Sequence, residues 1–531
     1  MKKFNSYILL LTLVILSFGQ LKAQEFGPFL EEIYDYEITT DVIYGFNATI
    51  LPVLGGDTEA RTRPLNMDVY TPVGDNNDER PVMLVLHTGN FLPHPNNNGT
   101  GGTIRDSTVV EACKRFARRG YLACAVDYRL GWNPIDPNQD IRTFFLINAA
   151  YRGIQDARTA IRFLRGSAVD GIDGEINPFG ISPDRIGAFG IGTGGYIVSG
   201  LNTLDDFNEI VIPKFLIDLG AGPNPMVIPE INGDINGTSV GIVPPGYPVL
   251  PAGDTLCIPN HVNFADGTPI SSDINFAVNL GGALGDESWL DENTAPWVSF
   301  AVPDDAAAPY TVGTLTVPGT GDPADPSDDF AVVEVSGSFN IQQLMADNGL
   351  NDIFDGLDLN VNDNSDVAND RNSGFNGLFP LPTDDATVGN EDSPWDFYSD
   401  ENPAVVNGFA PPSQTALALT YWDTIMNYTT PRACLALDLD CDGIVGLDEI
   451  DPAEVGFQMA PNPASDHIFF STKDQEMSSV FLYDLTGRMV RINLHVNSNT
   501  YELRRGNLAD GMYMAVVKFK EGYFSQKVVF K

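Results

Sequence analysis

The densest set of oxygen ligands in the chain is Asp438-Leu-Asp440-Cys-Asp442-Gly443-Ile444-Val-Gly446-Leu-Asp448-Glu449. It fits D-x-D-x-D-G-x5-E, the spacing of a calcium loop, at every fixed position. Carboxylates at the first, third and fifth positions can meet one ion in a tight turn, and Gly443 permits that turn. The backbone carbonyl of Ile444 adds a ligand, and Glu449 closes the site with two oxygens. Asp438, Asp440, Asp442, Ile444 and Glu449 are therefore the expected ligands of one Ca2+ ion. A single loop of this kind points to a structural clip rather than a paired sensor. No organic cofactor is expected. Imidazole chemistry has few places to occur, because the chain holds five histidines: His87, His94, His261, His467 and His495. Five cysteines are also present. Cys434 and Cys441 flank the acidic loop and can pair; Cys113 and Cys124 are a second possible pair; an odd count leaves at least one thiol single or paired between chains.

The elements that would position these groups follow from hydrophobic pattern. Asp41 to Gly45 and Leu65 to Pro72 read as early strands, and Pro81–Leu86, Tyr121–Val126 and Ile186–Phe189 as strands buried on both faces. Helices are expected over about Ser107–Arg119 and Gly153–Arg165, the second with apolar residues at Ile154, Ala157, Ile161 and Leu164. Ile274–Leu280 and Trp297–Val302 read as late strands. Strands alternating with helices argue for an α/β domain, a doubly wound, mostly parallel sheet. The Gly-, Pro- and Asn-rich stretch of about 205–272 has no period and reads as a loop-rich insertion, in the place of a lid over the sheet's carboxyl ends. Residues 310–400 read as acidic and loop-rich.

Five segments of this domain stand in a meaningful order: Leu84-Val-Leu-His-Thr-Gly-Asn-Phe91, Val126-Asp-Tyr-Arg-Leu130, Gln155-Asp-Ala-Arg-Thr-Ala-Ile-Arg-Phe-Leu164, Ser182-Pro-Asp-Arg-Ile186 and Phe189-Gly-Ile-Gly-Thr-Gly-Gly195. Over about residues 35–310 the chain resembles the carboxylesterase group of α/β-hydrolases. That resemblance implies a nucleophile elbow, G-x-S-x-G, at Gly190–Gly194, with an acid and then a histidine later in the chain. Gly192 stands at the serine position, so no covalent intermediate can form there. Thr193 offers the nearest hydroxyl. By resemblance its N–H, with Gly89 and Asn90, would make an oxyanion hole, although Thr88 and Asn90 depart from the family's H-G-G-G. Asp305, in Phe300-Ala-Val-Pro-Asp-Asp-Ala-Ala-Ala-Pro-Tyr310, falls on the acid position, and Ala301 replaces a usual histidine of that segment. No histidine lies between Asp305 and the end of this domain. His261 could serve as base only if the insertion folds over the site. Nucleophile and base are both missing, while a hole of this kind can still bind a carboxylate or an ester carbonyl.

Export signals frame the chain. Lys2 and Lys3 precede an apolar run from Tyr7 to Phe18, the layout of a signal peptide over 1–23, and the run is too short to span a bilayer comfortably. The formal net charge is −41, which excludes nucleic acid and anionic membrane as natural partners. Between Phe215 and Pro431 the one basic residue is Arg371, whereas from Val455 onward 9 Lys/Arg face 7 Asp/Glu. A boundary near residue 450 follows. Three parts are therefore expected after the signal: an α/β-hydrolase-like domain over 24–432, an EF-hand-like calcium loop and linker over 433–452, and a small C-terminal β-sandwich over 455–531. The last part alternates through Ser479–Arg488 and Gly511–Lys518. It resembles the C-terminal sorting domain of the type IX secretion pathway, which implies handling by that machinery and release or attachment at the cell surface.

The leading expectation is a secreted or surface-displayed pseudoenzyme that binds a ligand, with a carboxylate or ester-like compound as the ligand class. The alternatives are an active carboxylic-ester hydrolase using non-standard residues, and a calcium-stabilised structural or adhesive protein.

Overall fold

The computed structural model describes residues 27–531 except 95–96, 98, 219, 221, 248–249, 306–307, 318–328, 358–370, 382–392, 409, 442–447, 474, 484–488, 494–495, 497, 507 and 520–521. The expected signal peptide lies outside the described residues. Two compact units are present, one over Gly27–Cys441 and one whose described part begins after Asp442.

The large unit is built on one eight-stranded sheet. Its strands are β1 (Asp35–Thr49), β2 (Arg61–Val73), β3 (Arg80–Leu86), β4 (Leu122–Val126), β5 (Ile181–Ile191), β6 (Phe276–Leu280), β7 (Trp297–Ala301) and β8 (Leu378–Pro380), in the order β1-β2-β4-β3-β5-β6-β7-β8. β2 is antiparallel to both neighbours, and every pair from β4 to β8 is parallel. This is the α/β-hydrolase layout. β3, β4, β6 and β7 are apolar almost throughout because helices cover both faces. The covering helices are α1 (Ser107–Arg118), α2 (Gln139–Val169), α3 (Thr193–Thr203) and α4 (Thr415–Ala436).

α2 is a full helix of 31 residues, much longer than its apolar stripe suggests. The insertion explains the difference. Its backbone runs along the polar side of α2 and is bonded to it: Tyr151 donates to the Gly233 carbonyl, Gln155 to those of Asn232 and Asp234, and Asn148 to that of Met226. Arg158 donates to the Leu204 carbonyl and Arg165 to the Ser271 carbonyl. Arg158 and Arg165 are thus buried caps for loop carbonyls. Burial pulls Arg152 down to about 9, with Arg129 adding to the fall, and Arg162 down to about 10. In the structure this part of the insertion packs along α2 through these bonds.

The described part of the 310–400 stretch also holds regular structure: a hairpin of Val312–Val317 with Phe330–Ser336, and a helix over Ser338–Asp347. Cys434 and Cys441 form a disulfide, while Cys113, Cys124 and Cys257 are free and buried. Burial pushes the Cys124 thiol up to about 12, so it stays protonated and inert.

The small unit has a three-stranded antiparallel sheet (Gln458–Ala460, His467–Ser471, Thr500–Arg504) and a five-stranded one (Asp448–Glu449, Ser479–Tyr483, Met489–Asn493, Gly511–Phe519, Gly522–Phe530). Ile468, Phe470 and Leu503 of the first sheet pack with Val480, Val517 and Val528 of the second, which makes a β-sandwich.

Candidate functional site

The elbow is built at the carboxyl end of β5. Gly192 follows that strand, caps the N-terminus of α3, and takes φ 52° and ψ −113°. Its N–H bonds to the Leu280 carbonyl of β6 at 2.7 Å, and its own carbonyl accepts from Gly195 at 2.8 Å. The turn is too tight for side chains on either flank. A Cβ on Gly190 would lie 2.2 Å from the Gly194 carbonyl oxygen, and one on Gly194 would lie 2.2 Å from the Leu86 carbonyl oxygen. The chain therefore makes a tight strand-to-helix turn after β5 with glycine at its tip.

The space above Gly192 is occupied. A Cβ built there would lie 2.3 Å from Thr88 Oγ1 and 3.0 Å from Thr88 Cβ. Real heavy atoms do not approach that closely, so a side chain at position 192 would require Thr88 to shift. Thr88 and Gly192 both depart from the motifs that the resemblance leads one to expect. The two departures fit each other sterically.

Gly89, Asn90 and Thr193 come together beside this turn. Gly89 and Asn90 both have positive φ, 121° and 55°. The Asn90 N–H points at Thr193 and donates to its Oγ1 at 2.8 Å. Thr193 is buried, at the first position of α3. One expected oxyanion donor is thus already satisfied by the hydroxyl proposed as nearest nucleophile. The Asn90 carbonyl accepts from Trp132 Nε1 at 2.7 Å, which pins the loop from the other side. Ser199 donates to the Gly195 carbonyl inside α3.

His87 is fully buried under the same loop. Its Nδ1 bonds the Thr88 carbonyl at 2.5 Å, its ring stacks on Tyr128, and its Nε2 lies 3.9 Å from Asp127. Burial pushes the Asp127 carboxyl up, but His87 and the Arg63 guanidinium outweigh it and hold it below its ordinary value. His87 therefore holds the loop. His94 packs beside Gly102 in that loop, with its Nδ1 enclosed and unbonded. His261 is bonded through Nε2 to the Tyr44 carbonyl at 2.9 Å and lies edge-on to Phe163, so it belongs to the seam between insertion and β1.

Asp305 follows β7 in a turn, where it accepts from the Ala308 N–H at 3.1 Å. Burial pushes the Tyr196 phenol of α3 up, and the Asp305 carboxylate adds to the rise. Asp305 is thus a near neighbour of the helix that begins at the elbow. The described residues that follow β8 include Trp395 and Asp396. The Trp395 ring packs on Gly281, 2.8 Å from where a Cβ there would sit. Asp396 accepts from the Thr100 hydroxyl. Nothing local in the sequence marks Thr88 as lying against Gly192, or Asp396 as lying against Thr100. The departure of Thr88 from H-G-G-G marks the residue but not its contact.

Of the expected calcium ligands, Asp442 and Ile444 lie outside the described residues, as does the side chain of Glu449. Asp438 and Asp440 are exposed at the end of α4, and Asp438 lies 3.9 Å from Arg185. Among the described residues no three His, Cys, Asp or Glu side chains converge as a metal site. A separate cavity of about 750 Å³ lies at the amino ends of β5 and β6, lined by Asp78, Ile181, Asp184 and Asn275 among others, at the opposite end of β5 from the elbow.

Residues 458–531 match the family model described as "Secretion system C-terminal sorting domain". That domain marks the chain for the secretion machinery and for a secreted or cell-surface location. No helix among the described residues is long and apolar enough to cross a membrane. No curated protein matches the chain. Among solved structures it is similar to esterase 2 of Thermogutta terrifontis phosphorylated by paraoxon, at 18% identity and TM-score 0.28, over 52% of this chain and 73% of that one. The same esterase phosphonylated by cyclosarin matches at 17% identity and TM-score 0.28, over 52% and 73%. Its propionate-bound form matches at 16% and TM-score 0.26, over 52% and 74%.

Proposed function

We propose that this secreted or cell-surface chain is a non-catalytic binding protein on an α/β-hydrolase scaffold. The observation that carries the reading is the exchange at the elbow: glycine at the nucleophile position, with the Thr88 hydroxyl filling the space above it. The lack of a histidine in the sequence between Asp305 and Cys441 supports it. A hydroxyl without a placed base is a weak nucleophile at neutral pH, and an oxyanion hole with binding alone leaves only about 10³–10⁴ over water. A carboxylate or ester carbonyl entering the site competes with Thr193 for the Asn90 N–H. The full chain is expected to show no saturable turnover of short aryl esters. Saturable turnover that is abolished by Thr193→Ala or Thr88→Ala would sink the reading.

Calcium at Asp438–Glu449 is part of the same proposal, as a clip that orders the stretch after the Cys434–Cys441 disulfide. The ligand spacing supports it. Glu449→Ala should lower the melting temperature in millimolar calcium and leave it unchanged in chelator. An equal drop in both conditions contradicts a metal role.

A further inference from the structure

The geometry points to a strap, residues 393–402, that clamps the vacated site at acid pH and loosens as the pH rises toward neutrality. It rests on the site being the binding pocket proposed above. The segment is tied down at both ends of the site. On the acid side, Trp395 packs on Gly281, the glycine whose added Cβ would also lie 4.0 Å from Asp305 Oδ2. On the oxyanion-loop side, Asp396 accepts from the Thr100 hydroxyl, and Asn402 Nδ2 donates to the Thr100 carbonyl at 2.7 Å. Thr100 leads directly into Gly101, where an added Cβ would lie 3.1 Å from Thr88 Cγ2 and 2.5 Å from Asp106 Oδ2. The strap thus bridges the two walls between which the elbow lies.

The clamp is held by a carboxyl that is expensive to ionise. Thr108 of α1 and the Phe397 N–H also reach Asp396. The charged groups around it do not compensate its charge. Asp106, the N-cap of α1, faces it as a second carboxylate, and Tyr398 and Asp400 follow on the strap itself. Asp106 is occupied by the N–H groups of Gly102 and Thr103 and by the Thr103 hydroxyl. Arg105, the adjacent cation, is paired with Asp41 and Asp68. His94, in the same loop, packs on Gly102. Burial, first, and the Asp106 carboxylate raise the Asp396 carboxyl to about 7.

The sign follows from proton linkage. With the strap closed the carboxyl keeps its proton to about pH 7, whereas released into water it loses that proton near its ordinary value of 3.8. The open form therefore binds fewer protons throughout that interval. Opening becomes roughly tenfold easier per pH unit between about 4 and 7, and levels off above.

Hydrogen exchange of the full chain tests this, with rates corrected for the intrinsic pH dependence of exchange. Amides of 393–402 and 99–103 should lose protection by roughly a hundredfold from pH 5 to pH 7 and change little above. Asp396→Asn should make that protection independent of pH. Thr100→Val, which removes the clamping hydroxyl, should lower protection at pH 5. Flat protection in the unmodified chain, or an equal fall in Asp396→Asn, would overturn the strap. Ester turnover by the chain would overturn the proposed function and leave this result standing.

Discussion

Gly192→Ser is expected to give a protein that remains inactive on esters and is less stable by about 2–5 kcal/mol. Two costs add. A non-glycine residue at φ 52° and ψ −113° is strained, and its Cβ would collide with Thr88 at 2.3 Å. The second cost belongs to a pair of residues, so it should be reversible. Thr88→Gly together with Gly192→Ser should recover about 1–3 kcal/mol relative to the sum of the single changes. Denaturant melts followed through the transition of residues 27–441 measure this coupling. No rescue of activity is expected in the single or double variant, because neither places an imidazole against the new hydroxyl. Strict additivity would show that Thr88 does not fill the serine's place. Robust turnover by either variant would show that a base reaches the site.

Asp156→Ala should cost about 3–5 kcal/mol, for a reason unconnected with chemistry. Asp156 and Arg129 are both 0% exposed and bonded at 2.9 Å. Asp156 also accepts from the Arg129 N–H at 2.8 Å. The guanidinium in turn donates to the Leu256 carbonyl at 2.7 Å and to Gln155. Removing the carboxylate leaves an unpaired charge at the junction of β4, α2 and the insertion. Asp156→Asn keeps a carbonyl for the Arg129 N–H and should cost less. A loss below about 1 kcal/mol in the alanine variant would show that the pair carries little of the stability of this junction.

These two residues also show what is legible in the sequence alone. Arg129 and Asp156 lie in two motifs that marked the hydrolase layout, and the sheet order agrees with that layout. The strands of the sheet's centre were readable because burial on both faces leaves uninterrupted apolar runs, as at Pro81–Leu86. β8 was not, because three residues, Leu378–Pro380, carry no period. α2 was read too short, since its polar face is buried by insertion carbonyls rather than by apolar side chains. α4 was missed outright: its apolar residues do not fall on one stripe, and Pro431 lies within it.

At the site, glycine at position 192 is legible from one position in one motif. Its partner is not, because Thr88 and Gly192 are 104 positions apart and nothing local in either predicts their contact. Thr193 looked like a free hydroxyl, whereas the fold gives it the Asn90 N–H. Asp396 sat unremarked in an acidic, aperiodic stretch. Only the fold reveals that it stands after the last strand, against Thr100.

The most direct test of a vacated elbow is covalent labelling of the full chain with a fluorophosphonate, read by intact mass. The expected result is no mass increment under conditions that label an active serine hydrolase to completion. Stoichiometric labelling that maps to Thr88 or Thr193 would contradict the account, because it would mean that a hydroxyl at this elbow is activated after all.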